Sequence, residues 1–256
     1  MNNKRKTNRN LPFIIGLALL SFIIGGCASG TTSTGSKTNA NTSGKSAAEI
    51  YSKAAPGANP PNALGAPNAP VTIEEFADFQ CPTCALMHPK VQELRAAYGD
   101  RVRIIFRDFP LQMHPHGYEA AVAAEAAGMQ GKFWDMQNLL FTNQNNWATA
   151  PDARKIFEDY AQKLGLDVEK FKDDMAGLIT KNRVDADLQR GNSLGINSTP
   201  TFFINGNPVG QQDLSVEGMK RIIDGELQKA QSRSQPNQSA PTANNSAQSN
   251  INAENK

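Results

Sequence analysis

Cys81 and Cys84 stand with two residues between them, and Pro82 directly follows the first. A thiol pair at this spacing can close into a disulfide and reopen, with the thiolate as the attacking form. Ahead of it runs Val71-Thr72-Ile73-Glu74-Glu75-Phe76, and behind it a helix-favouring stretch from Ala85 to Ala97. That order describes a strand delivering a dithiol to the first turn of a helix. There the unpaired backbone N–H groups and the helix dipole favour negative charge on the first sulfur. Pro82 suits the first helical position, because the N–H it lacks would have no partner there. Cys81 is therefore expected to be the nucleophile, reachable from outside. Cys84, about one turn further in, is expected to be more buried and to act as the resolving thiol. A structural metal knuckle would need a second Cys/His pair beside this one.

The elements that must position the pair can be read coarsely. Residues 71–77 form a buried strand, 82–98 a helix, 99–100 a turn, and 102–106 a second strand rich in β-branched residues. Helices follow from Pro115 to about Ala127, over 132–141, and from Pro151 to Gly165, where glycine suits a left-handed cap. Another begins at Asp167, breaks near Gly177 and resumes to Arg190. Residues 200–204, Asn205-Gly206 and the Val209 region read as a β-hairpin, with Pro208 confining its second strand to a sheet edge. Val216, Met219, Ile222, Ile223 and Leu227 repeat at helical spacing. The expected fold class is α/β, with a helical insertion at about 110–196 between the second strand and the hairpin. Phe133, Trp134, Phe141 and Trp147 are expected to form the insertion's core.

The two ends differ in composition from this middle. Lys4, Arg5, Lys6 and Arg9 precede an apolar run at 11–24. Fourteen residues make roughly 21 Å of helix, short of a ~30 Å hydrocarbon core, so the run reads as a secretory signal rather than a spanning anchor. Ile24-Gly25-Gly26-Cys27 resembles the lipobox of bacterial lipoproteins, which implies lipidation at Cys27 and anchoring to a membrane. With Cys27 so used, the three cysteines leave only Cys81 and Cys84, and no structural disulfide. The expected organisation is a signal at 1–27, a Ser/Thr/Asn/Gly-rich tether at 28–59, one domain at 60–231, and a Gln/Asn/Ser-rich disordered tail at 232–256. Removing the signal leaves 22 basic against 24 acidic residues, a net −2. That balance offers no basic patch for nucleic acid.

Over about residues 60–230 the chain resembles the DsbA-like branch of the thioredoxin fold, the disulfide oxidoreductases of the bacterial envelope. The resemblance rests on Ala69-Pro70-Val71-Thr72-Ile73-Glu74-Glu75-Phe76-Ala77-Asp78-Phe79-Gln80-Cys81-Pro82-Thr83-Cys84. It rests further on Gly131-Lys132-Phe133-Trp134 and on Ser198-Thr199-Pro200-Thr201-Phe202-Phe203-Ile204-Asn205-Gly206. It implies a thioredoxin fold and a thiol–disulfide oxidoreductase that oxidises exported proteins and needs no cofactor beyond the Cys81–Cys84 disulfide. It also implies a cis Thr199–Pro200 bond beside the dithiol, where the Thr199 backbone pairs with an extended substrate segment. Glu75, six residues before Cys81, is implied to lie under the dithiol and carry the proton of Cys84; by pattern alone Asp78 is also near, while Glu74 points to the opposite face.

Pro82 and Thr83 would tune thiolate stability. The best-known strong oxidants of the family carry histidine where this chain has Thr83, so redox strength does not carry over. The implied partners are reduced or misoxidised exported proteins, and a quinone-linked thiol oxidase or a reductase in the membrane. Two other readings remain open: the same chemistry run as a reductase or isomerase, and a metal-binding lipoprotein using Cys81, Cys84 and His88. His114 and His116, at the start of the insertion, read as part of a helix start.

Overall fold

A computed structural model describes residues 46–234. The signal, Cys27, most of the expected tether and nearly all of the tail lie outside the described residues.

The central strand is β2 (Val71–Ala77), buried along almost its whole length. It pairs in parallel with β3 (Val102–Asp108) and antiparallel with β4 (Thr201–Ile204). Short strands β1 (Asn62–Leu64) and β5 (Asn207–Pro208) flank them, giving the order β1-β3-β2-β4-β5. Parallel neighbours need a crossover, which α2 (Pro82–Tyr98) supplies. Thus the strand that ends just before the dithiol is the most enclosed in the sheet, and the helix that begins with it is the crossover.

Val71 and Ile73 pack with Met87, Val91 and Leu94 of α2, and with Met219, Ile223 and Leu227 of α9 (Val216–Ser234). Between β3 and β4 the chain inserts six helices. They are α3 (Gly117–Gly128), α4 (Phe133–Thr142), α5 (Gln144–Trp147), α6 (Ala153–Lys163), α7 (Val168–Ala176) and α8 (Leu178–Ser193). Alanines 120, 121, 123, 124, 126 and 127 let neighbouring helices close tightly on α3. Phe133, Met136, Leu140, Trp147, Phe157 and Phe171 fill the spaces around it, and Cys81 and Cys84 belong to this same core. Gly165 has φ +71, in the left-handed region that favours glycine.

The expected boundaries need two corrections. Residues 46–59 are not a tether but part of the folded domain. Here α1 (Ala47–Lys53) is capped by Ser46, whose Oγ accepts from Glu49 N at 3.2 Å. Tyr51 lies against Phe203 with ring centroids 5.4 Å apart, and the Arg190 guanidinium sits 4.8 Å from its centroid. Further along, the carbonyls of Ala55, Pro56 and Ala58 accept from Arg190 and Arg107. Composition concealed this because the segment's partners are buried charges on distant elements. At the other end α9 continues to Ser234, past the expected start of the tail. Among the described residues no helix is long and apolar enough to cross a membrane.

Candidate active site

Cys81 is the N-cap of α2, with φ −72 and ψ 121. Its N–H donates to Asp78 O at 3.0 Å, and its carbonyl accepts from Ala85 N at 3.2 Å. Both cysteines are free thiols. The Cys81 thiol donates to the Thr199 carbonyl at 3.4 Å. Its pKa is drawn down to about 5, above all by the Cys84 thiol; the Thr199 hydroxyl and the backbone N–H groups of Cys84 and Thr83 assist, against the opposing effect of burial. Cys84 is wholly enclosed, and burial, reinforced by Cys81, pushes its thiol far up. Adjacent positions on one helix turn therefore carry an acidic thiol and a reluctant one. Cys81 is less open than expected, at 6% exposure, so a reagent meets only an edge of it.

The Thr199–Pro200 peptide bond is cis and brings the Thr199 carbonyl against Cys81. Pro82 and Thr83 are both exposed. Beside them Pro82, Ala85, Leu86, Phe141 and Gln144 line a shallow groove of about 270 Å³.

Glu75 leaves β2 on the α2 face, directly opposite Phe202 in the β4 register, and is followed on that face by Ala77 of the dithiol core. It is almost fully enclosed, and burial alone pushes its carboxyl up to about 8. Such a group can hold or release a proton near neutral pH. Glu74 leaves on the other face, between Arg107 (2.7 Å) and Arg190 (2.8 Å). Asp78 is committed to structure: its carboxylate accepts from Gln80 N, Leu111 N and His114 Nδ1 at 2.8, 2.8 and 2.6 Å.

His88, offered above as a metal ligand with the two cysteines, points elsewhere. Its Nε2 lies 3.0 Å from Asn138 Oδ1 and its ring rests on Phe141, with centroids 5.1 Å apart. Cys81, Cys84 and His88 do not converge. Among the described residues the one such set of three is Asp108, Glu125 and Asp187, on other elements.

The sequence reading missed the amides that tie the dithiol loop to the insertion. Gln144 Nε2 donates to Phe79 O at 2.7 Å and to Cys81 O at 3.0 Å. Gln80 Nε2 donates to Ala148 O, and its Oε1 accepts from His116 N, both at 2.7 Å. Asn143-Gln144-Asn145-Asn146 reads as a loop, and nothing in a run of four amides marks the one that turns inward.

Comparison with known proteins agrees with this fold. A family model described as thioredoxin matches residues 58–225. A thioredoxin-like oxidoreductase from Silicibacter pomeroyi is similar in structure at 28% identity, with a TM-score of 0.53, covering 64% of this chain and 92% of that one. BdbD from Bacillus subtilis gives 24% identity and a TM-score of 0.56, covering 68% and 98%. The α-DsbA1 of Wolbachia pipientis gives 23% and 0.58, covering 68% and 94%. A stretch of 145 residues is 39% identical to part of a protein named Na(+)/H(+) antiporter NhaA 1 in Mycolicibacterium gilvum. That match takes in 56% of this chain but only 23% of the antiporter.

Proposed function

The chain belongs to the thioredoxin family and has the fold of the DsbA-like thiol–disulfide oxidoreductases, and from that premise we propose that it oxidises exported proteins through a Cys81–Cys84 disulfide. The observation that carries this reading is the opposed pair of thiols, one drawn down to about 5 and its neighbour pushed far up, beside the cis Thr199–Pro200 bond. A client thiolate attacks Cys81 Sγ of the disulfide; the Cys81–Cys84 bond breaks and Cys84 leaves with the electron pair, taking a proton. A second client thiolate then attacks the client sulfur of the mixed disulfide, and Cys81 leaves as thiolate. The client loses two electrons and the enzyme gains them. An acidic Cys81 favours that last departure, because a better-stabilised thiolate leaves faster.

Glu75, with its raised pKa, supplies or accepts the proton at Cys84. The Thr199 backbone receives the client as an extended segment, which gives affinity without demanding a sequence. No bound cofactor or metal enters these steps. Reoxidation falls to a quinone-linked thiol oxidase in the membrane, and lipid on Cys27 holds the enzyme at the same surface.

Two substitutions and one potential test this. Cys81→Ser abolishes oxidation of a reduced peptide, and Cys84→Ser accumulates mixed disulfides; full activity in Cys81→Ser overturns the reading. A reduction potential well above about −200 mV supports an oxidase, whereas one near −270 mV turns the same site into a reductase. Palmitate labelling that persists in Cys27→Ala removes the lipid anchor from the proposal.

A further inference from the structure

The Cys81 carbonyl has two donors. One is Ala85 N, the bond that begins α2; the other is Gln144 Nε2 at 3.0 Å, from a four-residue helix in the insertion. The same Nε2 also donates to Phe79 O at 2.7 Å, so one buried amide grips the loop on both sides of Gln80. We propose that Gln144 is a positioning residue for Cys81, fixing the peptide plane that aims its sulfur at the free N–H groups of the helix. The inference rests on Cys81 being the exchanging sulfur.

The physical argument runs through one torsion. The N–H groups of Thr83 and Cys84 help hold the Cys81 thiolate, and they reach its sulfur because Cys81 sits at ψ 121, outside the helix, while its carbonyl already points along it. Pro82, next in line, contributes no N–H. Holding the carbonyl from outside with Gln144 restricts the plane at the point where helix and loop disagree. A buried amide N–H also has little alternative, since leaving it without an acceptor would itself be costly.

Gln80 provides the matched control. It ties the same loop to the same insertion through Ala148 O and His116 N, but it does not touch the Cys81 carbonyl. If Gln144 serves only to hold the loop on the insertion, removing either amide should have the same effect on the sulfur.

The test is an ultraviolet titration of the Cys81 thiolate in reduced, full-length protein carrying Gln144→Met, Gln144→Leu or Gln80→Met. The thermal midpoint of each variant is recorded in parallel. Both Gln144 variants should raise the Cys81 pKa by about one unit, a roughly tenfold loss of thiolate at fixed pH below it. The reduction potential should fall by about 30 mV for the same tenfold change. Gln80→Met should lower the midpoint comparably and leave the pKa in place. Equal pKa shifts in Gln80→Met, or none in either Gln144 variant, overturn the inference. An ordinary pKa near 8.5 in the unsubstituted protein instead sinks the proposed function itself, so the two failures are distinct. If Gln144→Leu does not fold, Gln144→Met, unbranched and closer in shape, still decides.

Discussion

Glu74 and Glu75 are neighbours in one strand, equally enclosed, and they differ in almost everything else. On the Glu74 face, burial would raise the carboxyl, but Arg190 and Arg107 outweigh it and hold the group below the usual carboxylate range. On the Glu75 face the apolar side chains of β2, β4, α2 and α9 dominate, and burial alone pushes the carboxyl up to about 8. What holds one glutamate below the carboxylate range and lifts the other above it is the presence or absence of a guanidinium across from it. Residue type and depth do not decide it. The sheet separates two environments, with ion pairs pinning the N-terminal segment and α8 on one side, and an apolar face that reaches the dithiol on the other.

The largest effect should come from breaking the fastener. Glu74→Gln leaves Arg107 and Arg190 enclosed with a lost counter-charge, a defect that costs about 3–5 kcal/mol when one partner of a buried pair is removed. Urea unfolding should show it as a fall in midpoint with little change in slope. Since the Glu74 pKa is lowered by folding, its contribution is present above its unfolded value and is lost as pH falls through the folded one. The gap between the two proteins should accordingly shrink in acid. Activity per folded molecule should survive; a variant that folds normally but cannot exchange disulfides would erase the division between the faces.

Glu75→Gln should do the reverse, sparing the fold and slowing the chemistry. A positioned acid–base group contributes roughly 10²-fold or more to proton transfer, so the Cys84-dependent step should slow by about that factor in single-turnover release of a mixed disulfide. In the natural protein the proton-accepting form of Glu75 grows as pH approaches 8, and this step should quicken over pH 6–8. The glutamine variant should be flat in that interval. Its stability should exceed that of the natural protein increasingly as pH rises, because a raised folded pKa means stability lost on the way up. A rate unaffected by the substitution would leave Glu75 as a buried acid without a task.

How far the sequence revealed this arrangement can be judged residue by residue. Strand 71–77 and helix 82–98 were legible because a continuous apolar run and a Pro-initiated helix are local signals. The helix even continues through Pro89, where one backbone donor is missing, because α2 is held by packing on both sides of that point. Strand 102–106 was read two residues short, since Arg107 and Asp108 look like a polar turn until Glu74 and Asp187 are placed beside them. β1 has only three residues, and α5 only four; neither carries a period to detect. Of the site, the cysteines and Thr199-Pro200 stood out by type and motif. Gln80 and Gln144 did not, because what each contributes is bonds to backbone atoms 36 to 68 positions away. Separating Glu74 from Glu75 needed only strand alternation; seeing why the two differ needed Arg107 and Arg190, which no local window contains.

The smallest effect expected lies in the cluster of acids where β3 meets α3 and α8, and it runs against intuition. Glu74, Asp108, Glu125 and Asp187 meet three arginines: Arg107 binds Glu74 and Asp187, Arg190 binds Glu74, and Arg183 binds Glu125. One acid is left over. It is Asp108, fully enclosed, with both carboxylate oxygens lacking a hydrogen-bond partner among the described residues. Burial first, then the charges of Glu125 and Asp187, push its pKa well up, so folding favours its protonated form. The stabilisation tied to that proton is complete below the unfolded value of about 3.9 and is lost as pH rises through the folded one. Asp108→Asn puts a permanently neutral group of the same shape there, with amide hydrogens facing acceptors on Glu125 and Asp187. Thermal midpoints should show the variant gaining on the natural protein as pH rises above that unfolded value, by about 1 kcal/mol. A variant that instead falls behind as pH rises would mean that Asp108 is ionised and balanced by a cation, which would make this cluster a second charged site rather than a lock.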